Sequence, residues 1–502
     1  MSFIGIDVGT SGTKVVLMDR AGKICAKATV EYPAHRPKPM WSEQDPEDWW
    51  KAVCTGVREV IVTAGVNGAT VEGVSFSGQM VGLVVLDQDG RVIRPCILWN
   101  DQRSAAITRT LTEQIGLERI LRETSNQLFS TFVAPKLVWM REYEPENYAR
   151  IRWILLPKDY IVYRLTGRIV TEVSDASGTC LFNVRERRWS PFMIEQMGLP
   201  GAWIPECVES EDVVGVVHAA AAVACGLPAG TPIVAGGGDQ PVQAVGSGIV
   251  RPGRCAVTIG TSGVIFAQGI HHLEHPSGLL HSFCHSVRGQ WYLMGVMLSA
   301  GGSYQWLRDT LRQLGSTDYD ELGRIAAEAP LGSGGLVFLP YLTGERCPYD
   351  DPHARGGWIG LTSRHGLAHL VRSVMEGISF GLNDSLCLIR EMGLQINTIY
   401  ASGGAMRSPL WRQMLADVFG IPVVTTNAVE GGAFGAALLA AAGVGAFRGV
   451  AEAADQLVQE TGRTEPVATN HARYTEWHRI YQSLYPVLRN GFKALSQLDA
   501  TT

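Results

Sequence analysis

The four residues Gly-Thr-Ser-Gly occur at 9–12 and again at 260–263, each time between two apolar runs. In the first copy residues 3–8 (FIGIDV) lead in and Val15–Met18 leads out. In the second, Arg254–Ile259 leads in and Val264–Gln268 leads out. A strand–turn–strand unit that returns in the other half of a chain implies two related domains facing one cleft. Length points the same way, because a 502-residue chain exceeds the ~250–300 residues at which single cores stop growing. The Gly-rich stretch at 248–253 is the expected hinge, dividing an N-terminal domain 1–248 from a C-terminal domain 249–502.

Around these units the pattern alternates between strand and helix. The turn Asp19–Gly22 and the run Lys23–Tyr32 extend the first unit into an antiparallel meander, opening a larger sheet. A helix is expected over Asp48–Ala64 and a strand over Val71–Phe76. Strands are also expected at Leu83–Leu86 and Val92–Leu98 around the turn Asp87–Gly90, and at 231–238. At the C-terminus Tyr474, Trp477, Tyr481, Leu484, Tyr485 and Leu488 recur at helical spacing, the signature of a helix packing back on the body. The fold class is α/β.

Charge and cysteine usage narrow the function. The net charge is −5 with no dense Lys/Arg block, which speaks against a nucleic-acid partner. The N-terminus has no basic segment followed by an apolar core, and the apolar stretch Ala433–Ala442 is too short to span a bilayer. Ten scattered cysteines show no zinc-ligand spacing. They read as reduced thiols of a cytoplasmic, non-membrane protein. His281/His285 and His365/His369 have i, i+4 spacing, but a metal site would need a helix and a third ligand, and the first pair falls in a strand-like run.

The segment Asp7-Val-Gly-Thr-Ser-Gly-Thr-Lys14 combines features a phosphate group needs. Glycines let backbone N–H groups approach closely. Thr10, Ser11 and Thr13 add donors, and Lys14 adds charge. Asp7 at the strand end suits water-mediated Mg²⁺. An ordinary hairpin turn is the alternative reading. The second Gly-Thr-Ser-Gly, with Gly260 and Thr261, offers a matching cradle from the other half. Gly301-Gly302 before Gln305 reads as a helix start after a tight backbone, and Gly403-Gly404-Ala405 after the strand-like Thr398–Ala401 would let a flat ring lie against the backbone.

Gly236-Gly-Gly-Asp239-Gln240 places a carboxylate beyond glycines that clear space around it. A positioned carboxylate that takes the proton of a weakly acidic hydroxyl typically contributes ~10²–10⁴-fold. A helix-capping aspartate is the alternative. The loops Ser77-Gly-Gln-Met-Val81 and Trp99-Asn-Asp-Gln-Arg103 also leave strand ends and carry candidate sugar contacts.

At these motifs the sequence resembles the FGGY family of carbohydrate kinases over nearly its whole length. Within the family it is most similar to the bacterial branch acting on D-xylulose. The similarity runs through Ile4–Lys14, Trp41–Pro46, Ile97–Asp101, Ala134–Leu137, Leu156–Tyr160 and Ala235–Asp239. It continues through His281–His285, Phe338–Tyr341, Gly344–Arg346, Gly356–Glu376 and Trp411–Asp417.

The resemblance implies two actin-like (ribonuclease H-like) ATPase domains around a nucleotide and sugar cleft. It implies ATP as phosphoryl donor, Mg²⁺ near Asp7 and Asp239, and Asp239 as the base. Thr10, Lys14, Gly260 and Thr261 would flank the phosphates, while Gly301, Gln305, Gly404 and Ala405 would line the nucleotide pocket. Met80, Val81, Trp99, Asp239 and Gln240 would face the sugar. The partner would be a small-molecule sugar, and a homodimer is compatible. Val81 stands where that branch usually carries His, and Gln240 where it usually carries Asn. D-xylulose is therefore the first expectation, followed by another ketopentose, a pentitol or a glycerol-like polyol. A non-kinase actin-like ATPase would not need the Asp239 loop and the two substrate loops. A sugar sensor would lack the base or add a DNA-binding segment.

Overall fold

The computed structural model describes residues 1–313, 315, 318–428 and 430–499. The first sheet is built on Ser2–Val8 (β1), Gly12–Asp19 (β2), Ile24–Glu31 (β3), Val71–Gly78 (β4), Val213–Val216 (β5) and Pro232–Val234 (β6). Its order is β5-β6-β4-β1-β2-β3, with the short strand Gly237–Gly238 also paired to β4. β1 runs antiparallel to β2 and parallel to β4, and β2 runs antiparallel to β3, so the meander is present.

The second sheet repeats the plan. Its strands are Arg254–Ile259 (β7), Gly263–Gly269 (β8), His281–Cys284 (β9), Trp291–Met297 (β10), Thr398–Ser402 (β11), Val423–Thr426 (β12) and Glu460–Thr464 (β13). The order is β9-β10-β8-β7-β11-β12-β13. β7, β8, β10, β11, β12 and β13 take the places of β1, β2, β3, β4, β6 and β5, and β7 is again antiparallel to its hairpin partner and parallel to the next strand. The two Gly-Thr-Ser-Gly turns therefore occupy equivalent corners of two actin-like sheets.

The helices follow from local signals. Pro46–Thr63 (α1) starts where the Asp45 carboxylate accepts from the Glu47 N–H at 3.0 Å with Pro46 in the first position, a favourable opening. Its buried face of Trp49, Val53, Val57 and Val60 covers Ile4, Ile6 and Val15 of the sheet. Val133–Tyr143 (α2), Pro157–Thr166 (α3) and Asp239–Gly246 (α4) are further helices of the first half. Gly301–Arg312 (α5), Leu367–Glu391 (α6), Gly431–Gly443 (α7) and Ala468–Asp499 (α8) belong to the second. α8 carries the aromatic stripe read from the sequence, and its Tyr481 hydroxyl meets that of Tyr341 at 2.7 Å in the second core.

Two expected strands differ. The turn at Asp87–Gly90 forms, with Gly90 N–H donating to the Asp87 carbonyl. The flanking runs do not make a continuous hairpin. Val84–Leu86 pairs with Trp153–Leu155 and Cys96–Ile97 pairs with Glu43–Gln44. Pro95 lacks the N–H that a continuous ladder needs, and single bridges at Leu86/Val92 and Leu83/Ile97 are what remain. The expected strand over 231–238 breaks at Gly236, whose φ of +79° turns the chain away from the ladder.

α7 comes from the second half but lies against the first sheet, its alanines packing with Phe3, Val16 and Met18. A helix apolar on every side is a buried helix, and this is what the Ala/Gly-rich stretch at 433–442 becomes. It also crosses α4 at very short range. A Cβ on Gly435 would fall 2.0 Å from the Val242 carbonyl oxygen, and one on Gly246 would fall 2.5 Å from that of Gly431.

Gly435→Ala forces backbone apart at this crossing, and overpacking of this kind costs about 1–3 kcal/mol or more. The melting temperature of Gly435→Ala is expected to fall clearly below wild type. Gly491→Ala, on an open face of α8, is expected to leave it unchanged or raise it slightly.

Candidate active site

The first phosphate-loop candidate is held from below by buried amides. Gln44 Nε2 donates to the Thr10 carbonyl at 2.6 Å, and Gln79 Nε2 donates to Gln44 Oε1 at 2.9 Å and to the Gly9 carbonyl at 3.4 Å. The Tyr32 hydroxyl donates to the Gly9 carbonyl at 2.7 Å. Thr10 Oγ1 donates to Gln79 Oε1 at 3.2 Å and accepts from Trp99 Nε1 at 2.9 Å. Ser11 is exposed at the tip. Thr13 is fully buried with its hydroxyl against that of Tyr32, so its side chain faces the core and not the cleft. Lys14 Nζ sits 3.0 Å from a Glu430 carboxylate oxygen, and Lys27 reaches the other oxygen at 2.7 Å.

Asp7 lies in register with Lys14 on β2 and Ser77 on β4. Along β1, Phe3, Gly5 and Asp7 share the face turned to α7, and Gly432 at the start of α7 would place a Cβ 3.0 Å from Asp7 Oδ2. Burial pushes the Asp7 carboxyl up, against the pull of Ser77 and Lys14. Asp7 Oδ1 is buried with no hydrogen-bond partner.

Asp239 opens α4 as its first residue, one place after the N-cap Gly238. Its carboxyl is pushed up to about 7, by burial first and the Asp7 charge second, while Gln240 hydrogen bonds pull it down. Two carboxylates that feel each other at a helix start form a repulsive pair. The orphaned Asp7 oxygen and this repulsion both suit a divalent cation, and Mg²⁺ characteristically takes one or two carboxylates beside phosphate and water. Among the described residues there is no cluster of three or more His, Cys, Asp or Glu that would hold a metal by itself.

Met80 and Val81 follow β4 and flank the Asp239 loop. A Cβ on Gly238 would fall 2.7 Å from Met80 Cγ. Val81 has φ +57°, unusual for a β-branched residue. Lys136 on α2 holds it there, its ammonium donating to the carbonyls of Val81 at 2.8 Å, Leu98 at 2.8 Å and Ile97 at 3.3 Å. Burial pushes Lys136 down to about 7. The three acceptors nevertheless use three N–H bonds, which only the ammonium supplies. Trp99 is 46% exposed and joins this turn to the first loop through Thr10. Asp101 and Arg103, read as polar candidates for sugar contacts, pair with each other at 2.7 Å, and Arg103 also pairs with Glu43 and stacks on Trp41.

On the second sheet, Gly260 and Thr261 dock directly on the start of α5. Gly301 N–H donates to the Gly260 carbonyl at 2.8 Å and Gly302 N–H to that of Thr261 at 2.9 Å. A Cβ on Gly301 would meet the Gly260 oxygen at 2.3 Å, and one on Gly403 the Ile259 oxygen at 2.3 Å. Gly260, Gly301 and the Gly404–Ala405 turn thus converge on the end of β7, with Gly404 open on its outer side. Gln305 is exposed on the next turn of α5. A second buried carboxylate, Glu345, accepts from the Leu298 N–H at 2.9 Å and fixes the approach to this helix start.

A buried charge cluster under the Met80–Val81 turn has no sequence signal of its own. Lys158 lies 2.5 Å from Asp159, 3.5 Å from Glu172 and 3.8 Å from Asp175, all with essentially no exposure. Burial works against the Lys158 charge, but the three carboxylates outweigh it and hold the ammonium above the ordinary lysine value. Lys136 and Lys158 fall within the family-like motifs read earlier, whereas Glu172 and Asp175 lie outside them.

Two matching actin-like sheets, each with a Gly-Thr-Ser-Gly turn, and the neighbouring carboxylates Asp7 and Asp239 define the class of actin-like ATPase folds. The family comparison agrees. Residues 2–246 match the N-terminal domain, and 255–444 the C-terminal domain, of the FGGY family of carbohydrate kinases. The chain belongs to that family and is a carbohydrate kinase. It is 38% identical over 482 residues to the xylulose kinase of Bacillus subtilis, covering 96% of both chains. It is 37% identical over 491 residues to that of Escherichia coli K12, covering 97% of this chain and 100% of that one. A solved xylulose kinase from Lactobacillus acidophilus superposes with a TM-score of 0.93 at 28% identity over 98% of this chain and 99% of that one. One from Brucella ovis gives 0.91 at 35% over 98% and 100%. Among the described residues no helix is long and apolar enough to cross a membrane.

Lys158→Met leaves three buried carboxylates without their cation, and breaking such a cluster costs about 3–5 kcal/mol. Burial already raises the Asp159 and Asp175 carboxyls. Without Lys158 their protonation is favoured further, so the deficit is expected to shrink as pH falls from about 8 to 5.5. Urea unfolding of wild type and variant across that range measures it.

Proposed function

We propose that this kinase transfers the γ-phosphoryl group of ATP to the primary hydroxyl of D-xylulose, giving D-xylulose 5-phosphate and ADP. The relatives named as xylulose kinases at 37–38% identity over nearly the whole chain support the substrate. The observation that carries the chemistry is Asp239, a carboxylate at a helix start whose pKa is raised to about 7. A base with that value is matched to neutral pH. The sugar oxygen attacks the γ-phosphorus, the bond to the β,γ-bridging oxygen breaks, ADP leaves, and the hydroxyl proton passes to Asp239.

Met80, Val81, Trp99 and Gln240 form the sugar side in this reading. Thr10, Ser11 and the backbone of residues 9–13 take the phosphates from one wall. Gly260 and Thr261 take them from the other, and Gly301, Gln305, Gly404 and Ala405 hold the nucleoside. Asp7 and Asp239 would hold Mg²⁺, whose chemistry there is to neutralise charge on the triphosphate. Lys14 reaches the phosphates on leaving Glu430, so its ion pair is exchanged and not idle.

A second reading keeps the chemistry and changes the sugar. Val81 presents methyl groups and no hydrogen-bond donor, and such an exchange alters which hydroxyl a site reads. Another ketopentose or a pentitol is the substrate on that reading.

Asp239→Asn is expected to lower kcat by about two orders of magnitude or more with little change in ATP affinity, read by coupled ADP release and by nucleotide titration. Near-full turnover in that variant removes the base assignment. For wild type, kcat/KM for the sugar is expected to fall on the acid side of its pH profile, because Asp239 accepts a proton only when ionised. Val81→His is expected to raise the kcat/KM for D-xylulose relative to other ketopentoses. Identical ratios in both proteins detach position 81 from sugar choice.

A further inference from the structure

We infer that Gly178 is a specificity-determining residue of the sugar pocket, acting through Val81. The inference rests on the reading of Val81 as a residue facing the sugar.

Gly178 is buried in a short segment that has little freedom to move. Glu172 caps the helical turn Val173–Ala176, accepting from the Ser174 N–H at 2.8 Å and the Asp175 N–H at 2.8 Å. The same carboxylate accepts from the Ser174 hydroxyl at 2.9 Å and the Ser210 hydroxyl at 2.7 Å. Ser177 donates to the Val173 carbonyl at 2.7 Å and accepts from the Cys284 N–H of β9 at 3.0 Å. Thr179 donates to the Ala176 carbonyl at 2.6 Å. A capped turn with both flanks of Gly178 hydrogen-bonded is a fixed wall.

Val81 is fixed from its own side. Its carbonyl is gripped by Lys136 at 2.8 Å and its N–H points to Asp175 Oδ1 at 3.5 Å. The left-handed backbone at this residue sets where the isopropyl group points. Two pinned backbones therefore face each other with only side-chain atoms between them.

The gap has no slack. A Cβ on Gly178 would stand 2.5 Å from Val81 Cγ1, 3.8 Å from Met80 Cε and 3.9 Å from Val81 Cβ. Carbon atoms attract best at about 3.5–4.0 Å, so a methyl group at 178 must displace the valine. A valine side chain is stiff about χ1, and Met80, already packed against Gly238, blocks one side. With Val81 read as facing the sugar, that displacement is toward the sugar. The missing side chain at 178 thus sets how far the Val81 wall recedes and how much sugar fits before it. The wall is apolar, so the carbon resting on it presents C–H or a hydroxyl turned elsewhere.

The same segment also reaches the base. Ser174 Oγ accepts from the Gly238 N–H at 3.1 Å, one residue before Asp239. Wall and base are thereby referenced to one short stretch of chain, so a change in wall position is a change in where the sugar hydroxyl lies relative to the carboxylate.

The test is steady-state kinetics of wild type, Gly178→Ala, Val81→Ala and the double variant on D-xylulose, D-ribulose, L-ribulose, xylitol and ribitol. Gly178→Ala is expected to raise KM for the preferred sugar about tenfold or more, the scale of one methyl group in a tight pocket. The KM for ATP is expected to stay within about twofold, since a wall effect does not touch the nucleotide side. In the Val81→Ala background the same substitution is expected to change sugar KM less than about threefold, because the colliding methyl is gone.

An equal effect in both backgrounds, or none in either, overturns the inference. If Gly178→Ala does not fold, Val81→Ile adds a carbon to the same wall, and an unchanged sugar KM there overturns it equally. Absence of turnover by wild type on every sugar tested strikes the substrate reading instead. Normal wild-type turnover with Gly178 uncoupled from Val81 strikes this inference alone.

Discussion

The close crossing of α4 and α7 is the contact on which the remaining geometry hangs. Gly246 and Gly435 let two helix backbones approach to a distance that no side chain tolerates. Each helix follows the equivalent strand of its own sheet, β6 for α4 and β12 for α7. Where they cross, two similar halves become one body, with Gly431 at the start of α7 lying against Gln243 and Gly246 of α4. Asp239 opens one helix and Glu430 immediately precedes the other. The positive ends of both helices point toward acidic side chains, a favourable arrangement for helix dipoles. Asp7 sits beside the start of α7, so the carboxylate pair is a consequence of the crossing.

Around that centre the protein invests buried charge. Lys136 fixes the Val81 turn through three carbonyls, and Lys158 neutralises three carboxylates below it. Isolated ion pairs of this sort add little net stability compared with apolar packing. Their value here is positional. Ammonium groups can bind several carbonyl or carboxylate oxygens at once, so a single side chain orients a loop that its own sequence would leave free. Val81 in a left-handed conformation is strain retained because Lys136 and Asp175 over-determine it.

Much of the architecture was legible in the chain. The repeated Gly-Thr-Ser-Gly units, the meander at 2–31, α1, the β7–β8 hairpin and the helix starts at Gly301 and Asp239 all follow from periodicity, turn residues and caps. Errors fell where pairing is non-local. The run 92–98 contains Pro95 and keeps only single bridges to Leu83 and Leu86 across its turn, while its ladder partner is Glu43–Gln44, which no local pattern announces. Of the candidate site residues, Thr13 turns its hydroxyl into the core and Lys14 engages Glu430. Strand alternation does not say which face a neighbouring helix covers, and α7 arrives from more than 400 residues away. Glu172, Ser174 and Gly178 went unread because their partners are Ser210, Gly238 and Val81, distant in sequence and ordinary in composition.

The amino-acid sequence by itself determined the plan: two duplicated α/β halves, a phosphate-type turn on each, and a carboxylate after a glycine run. Those features are encoded locally, in side-chain period and in backbone conformations open only to certain residues. Tertiary structure decided which of the polar side chains face the cleft, how strongly Asp239 is raised by burial and by Asp7, and how much room Gly178 leaves beside Val81. Each of these depends on distances between segments far apart in the chain, and both desolvation and steric overlap change over a few tenths of an ångström to a few ångströms, a scale that no linear pattern carries.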